Sequence, residues 1–115
     1  MKKVFITVGV RNASWNSASL RLANQVKSID MFDEIYGHTD GTFLKDPEFW
    51  NRHQRFWSRS TKGCGYWLWK PYIIMKHLQQ LQEGDILVYG DAGCEVSPNF
   101  SAAPMQRMID IACEH

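Results

Sequence analysis

Between Lys62 and Glu95 the chain gathers residue types that suit an anionic ligand carrying a flat ring. Lys62-Gly63-Cys64-Gly65-Tyr66-Trp67-Leu68-Trp69-Lys70 places two lysines, two glycines and three large rings within nine residues. Lysine ammonium groups are point charges for phosphate. The rings of Tyr66, Trp67 and Trp69 offer faces for stacking on a base or lying against a sugar. Pro71 fits the first turn of a helix, where its missing N–H is no loss. A helix starting there puts Lys70, the unpaired N–H groups of Tyr72 and Ile73 and the positive dipole end together, a phosphate-binding combination. Lys62, before the Gly63-Cys64-Gly65 hinge, can reach the same anion.

Further on, Gly84-Asp85-Ile86-Leu87-Val88-Tyr89-Gly90-Asp91-Ala92-Gly93-Cys94-Glu95 reads as a turn, an apolar strand and an acid at its end. Asp91 is the leading candidate for a catalytic or metal-binding acid. A carboxylate there can hold Mg²⁺ or Mn²⁺ bridging a diphosphate, or accept from ribose hydroxyls. Gly93 lets a ligand approach the backbone. Each residue also has a plainer role: rings as core filler, Lys70 as a solvated helix neighbour, Asp91 as a turn aspartate capping the following backbone.

The elements that must position these residues follow from periodicity. Val4–Val8 is a short continuous apolar run, as in a strand covered on both faces. Asn16 or Ser17 can cap a helix running to about Ile29, with Leu20, Leu22, Ala23, Val26 and Ile29 inward. Phe32–Thr39 reads as a second strand and Gly41–Pro47 as a loop. Glu48–Ser60 reads as a helix with an aromatic face, and Gly63 and Gly65 break the chain. The Pro71 helix extends to about Gln82, a third strand covers Ile86–Tyr89, and Pro104 opens a last helix to about Glu114. This order predicts one α/β domain over residues 1–115, a small open, mainly parallel sheet with helices on both faces.

In such a sheet ligands bind at the carboxyl edge of the strands, near a switch in strand order. The end of the first strand and the loop after it, with Thr7, Gly9 and Arg11, reach that edge. So do the Pro71 helix start and Asp91. Arg21 is a further residue that could touch ligand or stay a surface charge.

Bulk properties narrow the classes. The net charge is +1 with no single-sign block, which argues against a nucleic-acid partner. No apolar run has the length of a membrane span, and the apolar stretch after Lys2-Lys3 is short for a signal peptide. A cytoplasmic protein is expected. Three widely spaced cysteines, Cys64, Cys94 and Cys113, read as reduced thiols. The four histidines, His38, His53, His77 and His115, show no ligand spacing, so a His or Cys metal site is not expected.

The Gly-x-Gly-Tyr-Trp-x-Trp-Lys-Pro run, the helix after it and the strand ending Tyr-x-Asp-Ala-Gly resemble bacterial glycosyltransferases of the A-type fold, associated with lipopolysaccharide or capsule sugars. The likeness covers nearly the whole chain and is strongest from Lys62 to Glu95. It implies a nucleotide-diphosphate-sugar donor, a divalent cation, and the nucleotide-sugar-binding half of that fold. By position Asp91 matches the first acid of the Asp-x-Asp motif of many such enzymes, and Gly93 stands where the second would be. Such transferases usually carry a second, acceptor-binding half, and this chain stops about one helix past Asp91. The alternative is a non-catalytic donor-binding or protein-interaction module, with a homo-oligomer or a second protein chain as partner. A third reading is a phosphometabolite binder unrelated to sugars.

Overall fold

The computed structural model describes residues 1–59, 64–97 and 101–114. Its centre is β1 (Lys3–Val8), flanked by β2 (Glu34–His38) and β3 (Ile86–Tyr89) in the order β2-β1-β3. Both pairings are parallel; Ile6 faces Tyr36 in one register and Tyr89 in the other. Val4 to Val8 are all buried, as an apolar run between two covered faces requires.

Successive strand residues point to opposite faces, and β1 divides two cores this way. Phe5 packs with Leu22 and Val26 of α1 (Ala13–Ser28), and Val88, Ile35 and Val96 close around them. Val8 packs on the other face with Val10, Phe43, Phe49, Trp69 and Ile73. The last four come from α2 (Asp40–Leu44), α3 (Pro47–Arg59) and α4 (Cys64–Gln80). A final helix, α5 (Ala102–Glu114), rests against β3 with Ile109 buried. The architecture is therefore α/β, a small open parallel sheet with helices on both faces.

The chain steps outward from β1 to β2, then crosses back to pair β3 on the other side. The strand order therefore reverses between β1 and β3, and their carboxyl ends mark the switch point of the sheet.

Several boundaries differ from the sequence reading. α1 starts at Ala13, and its cap is Asn12, not Asn16 or Ser17: the Asn12 side chain accepts from the Trp15 N–H at 2.8 Å. Asn12 is extended, with φ −157° and ψ 167°, which leaves its carbonyl amide free to turn onto the first helical turn. Residues 40–44, expected as loop, make one short helix, in which Thr42 Oγ1 accepts from the Thr39 N–H at 3.3 Å.

The largest difference is α4. It begins at Cys64 and passes through Pro71, which lies inside the helix. An internal proline removes one backbone bond and crowds the preceding turn. Burial of Trp69 and Ile73 on the same helical face offsets that loss. Pro71 is thus not a helix start. The N–H groups of Tyr72 and Ile73 are mid-helix groups rather than an exposed anion-binding end. The last helix likewise starts at Ala102, with Pro104 in its first turn.

Candidate functional site

The carboxyl ends of β1 and β3 bring three segments together: the 9–12 loop, the first turn of α1, and the 90–94 connection. Gly9 is buried, and a Cβ there would lie 1.9 Å from the Trp15 carbonyl oxygen. Only glycine lets the loop pass this close to α1. Gly90 meets the same limit from the other side, since a Cβ would come within 2.9 Å of the Phe5 ring. Beyond it, the Cys94 N–H donates to the Asp91 carbonyl at 2.9 Å, closing a turn. The Trp15 ring lies beside the exposed Gly93, its nearest atoms 3.7 and 3.8 Å from where a Cβ would sit.

Asp91 stands at the top of this turn with 65% of its side chain exposed. The Lys70 ammonium, from α4, lies 3.7 Å from Asp91 Oδ1 and 4.7 Å from the centre of the Tyr89 ring. The lysine is held by a carboxylate and an aromatic face at once. The ion pair is partly solvated, so its net contribution to stability is about 0–1 kcal/mol. A competing anion can therefore displace Asp91 from Lys70 at small cost. Lys70 reaches the site from the second turn of α4, not from the helix end that the sequence suggested.

The remaining sequence candidates separate. Thr7 is fully buried, and its Oγ1 has no hydrogen-bond partner among the described residues. Thr7 and Gly9 are taken up in packing against α1, so neither presents surface to a ligand. Arg11 lies on the exposed loop with φ +90°, its N–H donating to Asp40 Oδ1 at 2.7 Å. A non-glycine residue at positive φ carries roughly 1–3 kcal/mol of strain, and this bond to the start of α2 helps hold it. Trp69 is 7% exposed and belongs to the core, which corrects its reading as a stacking surface. Lys62 and the side chains of Tyr66 and Trp67 lie outside the described residues.

Sequence reasoning missed three groupings. Arg21, weighed as a ligand contact, instead spans to the 91–94 turn: its Nη2 donates to the carbonyls of Ala92 at 2.8 Å and Cys94 at 2.9 Å. Asp46 Oδ2 accepts from the Tyr72 hydroxyl at 2.7 Å and the Lys76 ammonium at 2.6 Å, while Oδ1 takes the Phe49 N–H. Burial disfavours its charge, but these donors outweigh that and hold it at about 2. His38 and His77, 39 positions apart, meet Nε2 to Nε2 at 2.8 Å, with His38 Nδ1 3.1 Å from Thr42 Oγ1. Burial above all, then the charge of His77 and of Lys76, pushes His38 down to about 4; burial also lowers His77. A strand residue and a helix residue so far apart show no common spacing, so no sequence signal could have paired them.

The resemblance implies a divalent cation. Among the described residues no three His, Cys, Asp or Glu side chains gather as a metal cage. Asp91, the metal-binding candidate, has the Lys70 ammonium 3.7 Å from its Oδ1. A single carboxylate is chemically enough for Mg²⁺ only where phosphates supply most of the other oxygens. No family model matches the chain, and no curated protein or solved structure matches it. Among the described residues, no helix is long and apolar enough to cross a membrane.

Proposed function

We propose that the switch point between β1 and β3 binds a nucleotide-diphosphate-sugar donor, in a glycosyltransferase-like protein that serves an envelope polysaccharide or lipopolysaccharide. The observation that carries this reading is the approach of Lys70 to Asp91 at the carboxyl edge, 3.7 Å apart with the acid largely exposed. Open α/β sheets place ligands at this point, and the pair supplies one cation for a phosphate and one acceptor for hydroxyls.

In this scheme a diphosphate oxygen replaces Asp91 on Lys70. The released carboxylate accepts from ribose or sugar hydroxyls, or ligates a cation brought in by the diphosphate. Lys70 then steadies the charge that grows on the diphosphate as it leaves, the electrostatic role that dominates much of enzyme catalysis. Lys62 is assigned to the same phosphates, and Tyr66 or Trp67 to the base or sugar face, on the resemblance alone. Arg11 and Gly93 border the ligand from the 9–12 loop and the turn.

The test is calorimetric titration with UDP-, GDP- and CMP-sugars, with and without Mn²⁺. Binding of one class, weakened by Lys70→Ala more for the diphosphate than for the nucleoside, is expected. Absence of binding at millimolar concentration defeats the proposal. Equal affinity for phosphate compounds lacking the sugar makes the protein a phosphometabolite binder instead. Binding without turnover on envelope acceptors makes it a non-catalytic donor-binding module.

A further inference from the structure

Three backbone groups of the segment after Asp91 are held by two side chains of α1. Arg21 Nη2 donates to the carbonyl oxygens of Ala92 and Cys94 at 2.8 and 2.9 Å. Gln25 Oε1 accepts from the Val96 N–H at 3.1 Å and from Arg21 Nη1 at 3.0 Å. Arg21 and Gln25 are four residues apart, neighbours on one helical face. Residues 92, 94 and 96 are alternate positions, the spacing with which a neighbouring strand would be met. The α1 side chains thus serve this segment as a strand edge would, where β3 has ended.

The contacts surround Asp91 without touching its carboxylate. Ala92 is buried, the Cys94 N–H is bonded to the Asp91 carbonyl, and the Trp15 ring lies beside Gly93. The backbone around the acid is fixed while the acid itself remains open to solvent.

We infer that Arg21, supported by Gln25, is a positioning residue that pre-orders the Asp91 turn for ligand; this rests on the donor-site reading. A planar guanidinium reaching two carbonyls from one nitrogen holds a geometry that a lysine cannot reproduce. Without it the turn must be ordered when ligand binds. Fixing even one backbone residue then lowers affinity by about tenfold.

The experiment compares wild type, Arg21→Ala, Gln25→Ala, Asp91→Asn and the Arg21→Ala/Asp91→Asn double variant. Arg107→Ala on α5 serves as control. UDP-glucose and GDP-mannose, each with Mn²⁺, are the calorimetric probes, and amide hydrogen exchange is read at Cys94 and Val96 without ligand. Arg21→Ala is expected to speed exchange at both amides while β1 stays protected, and to weaken binding about tenfold or more. In the Asp91→Asn background the same change should weaken binding little further, because both act through one carboxylate. Unchanged affinity of Arg21→Ala, or full additivity with Asp91→Asn, overturns the positioning role and leaves the donor site standing. Failure of wild type to bind these probes and every other UDP-, GDP- and CMP-sugar at millimolar concentration removes both. Should Arg21→Ala not fold, Gln25→Ala decides on the same readouts: faster exchange at Val96 with weaker binding supports the role, and unchanged affinity overturns it.

Discussion

Asp91 and Lys70 make the sharpest residue-level expectations. Asp91 is largely exposed, so Asp91→Asn should shift unfolding free energy by no more than about 0.5 kcal/mol while weakening donor binding measurably. A large fall in melting temperature would instead mark Asp91 as a structural cap. The histidine pair predicts acid sensitivity. His38 is held at about 4 in the folded chain, below its ordinary value, so folding favours its neutral form. The unfolded chain takes up that proton first. Stability is therefore complete above about pH 6.5 and falls as the pH drops toward 4, by on the order of 3 kcal/mol. Lowered titration of His77 acts in the same direction, with Lys76 beside the pair and Glu34 opposing it. Urea unfolding across this range checks the slope, and His38→Gln, which does not titrate, should flatten it.

At the level of elements, the sheet site depends on how closely helices approach. Gly9 admits the first turn of α1, and a Cβ 1.9 Å from the Trp15 carbonyl must force the loop away. Gly9→Ala should destabilise by about 1–3 kcal/mol or more, and a change in Trp15 fluorescence should report the displaced loop. On the other face Asp46 ties the start of α3 to α4 through Phe49, Tyr72 and Lys76. Asp46→Ala leaves the Tyr72 hydroxyl and the Phe49 N–H without that acceptor, an expected loss of about 1–3 kcal/mol in denaturant unfolding. Because Asp46 titrates near 2, its contribution persists at neutral pH and disappears only as the pH falls below about 4. α4 itself shows how a local signal can mislead. A proline a few residues after the Gly63-Cys64-Gly65 break reads as a helix start, yet burial of Trp69 and Ile73 carries the helix through Pro71.

For the whole molecule, two small cores on one three-stranded sheet leave little reserve. Trp69→Ala should remove about 3–5 kcal/mol, a large share of the roughly 5–15 kcal/mol that holds a typical domain. A near-wild-type urea midpoint would show that the α2–α4 face does not depend on that ring. Much of this architecture was legible in the chain itself. Short apolar runs at Val4–Val8 and Ile86–Tyr89, separated by helical periodicity, determined an α/β sheet and put Asp91 at a strand end, because local hydrophobic spacing is written residue by residue. Asn12 as a cap and the helix at residues 40–44 escaped, since polar residues suit loops and helix ends alike. Only the tertiary structure decided that Lys70 meets Asp91, that Arg21 grips the turn 71 positions away, and that His38 shares a hydrogen bond with His77. Those partners are chosen by the strand order β2-β1-β3 and by the packing angle of each helix, quantities set by the whole core at once and carried by no local spacing.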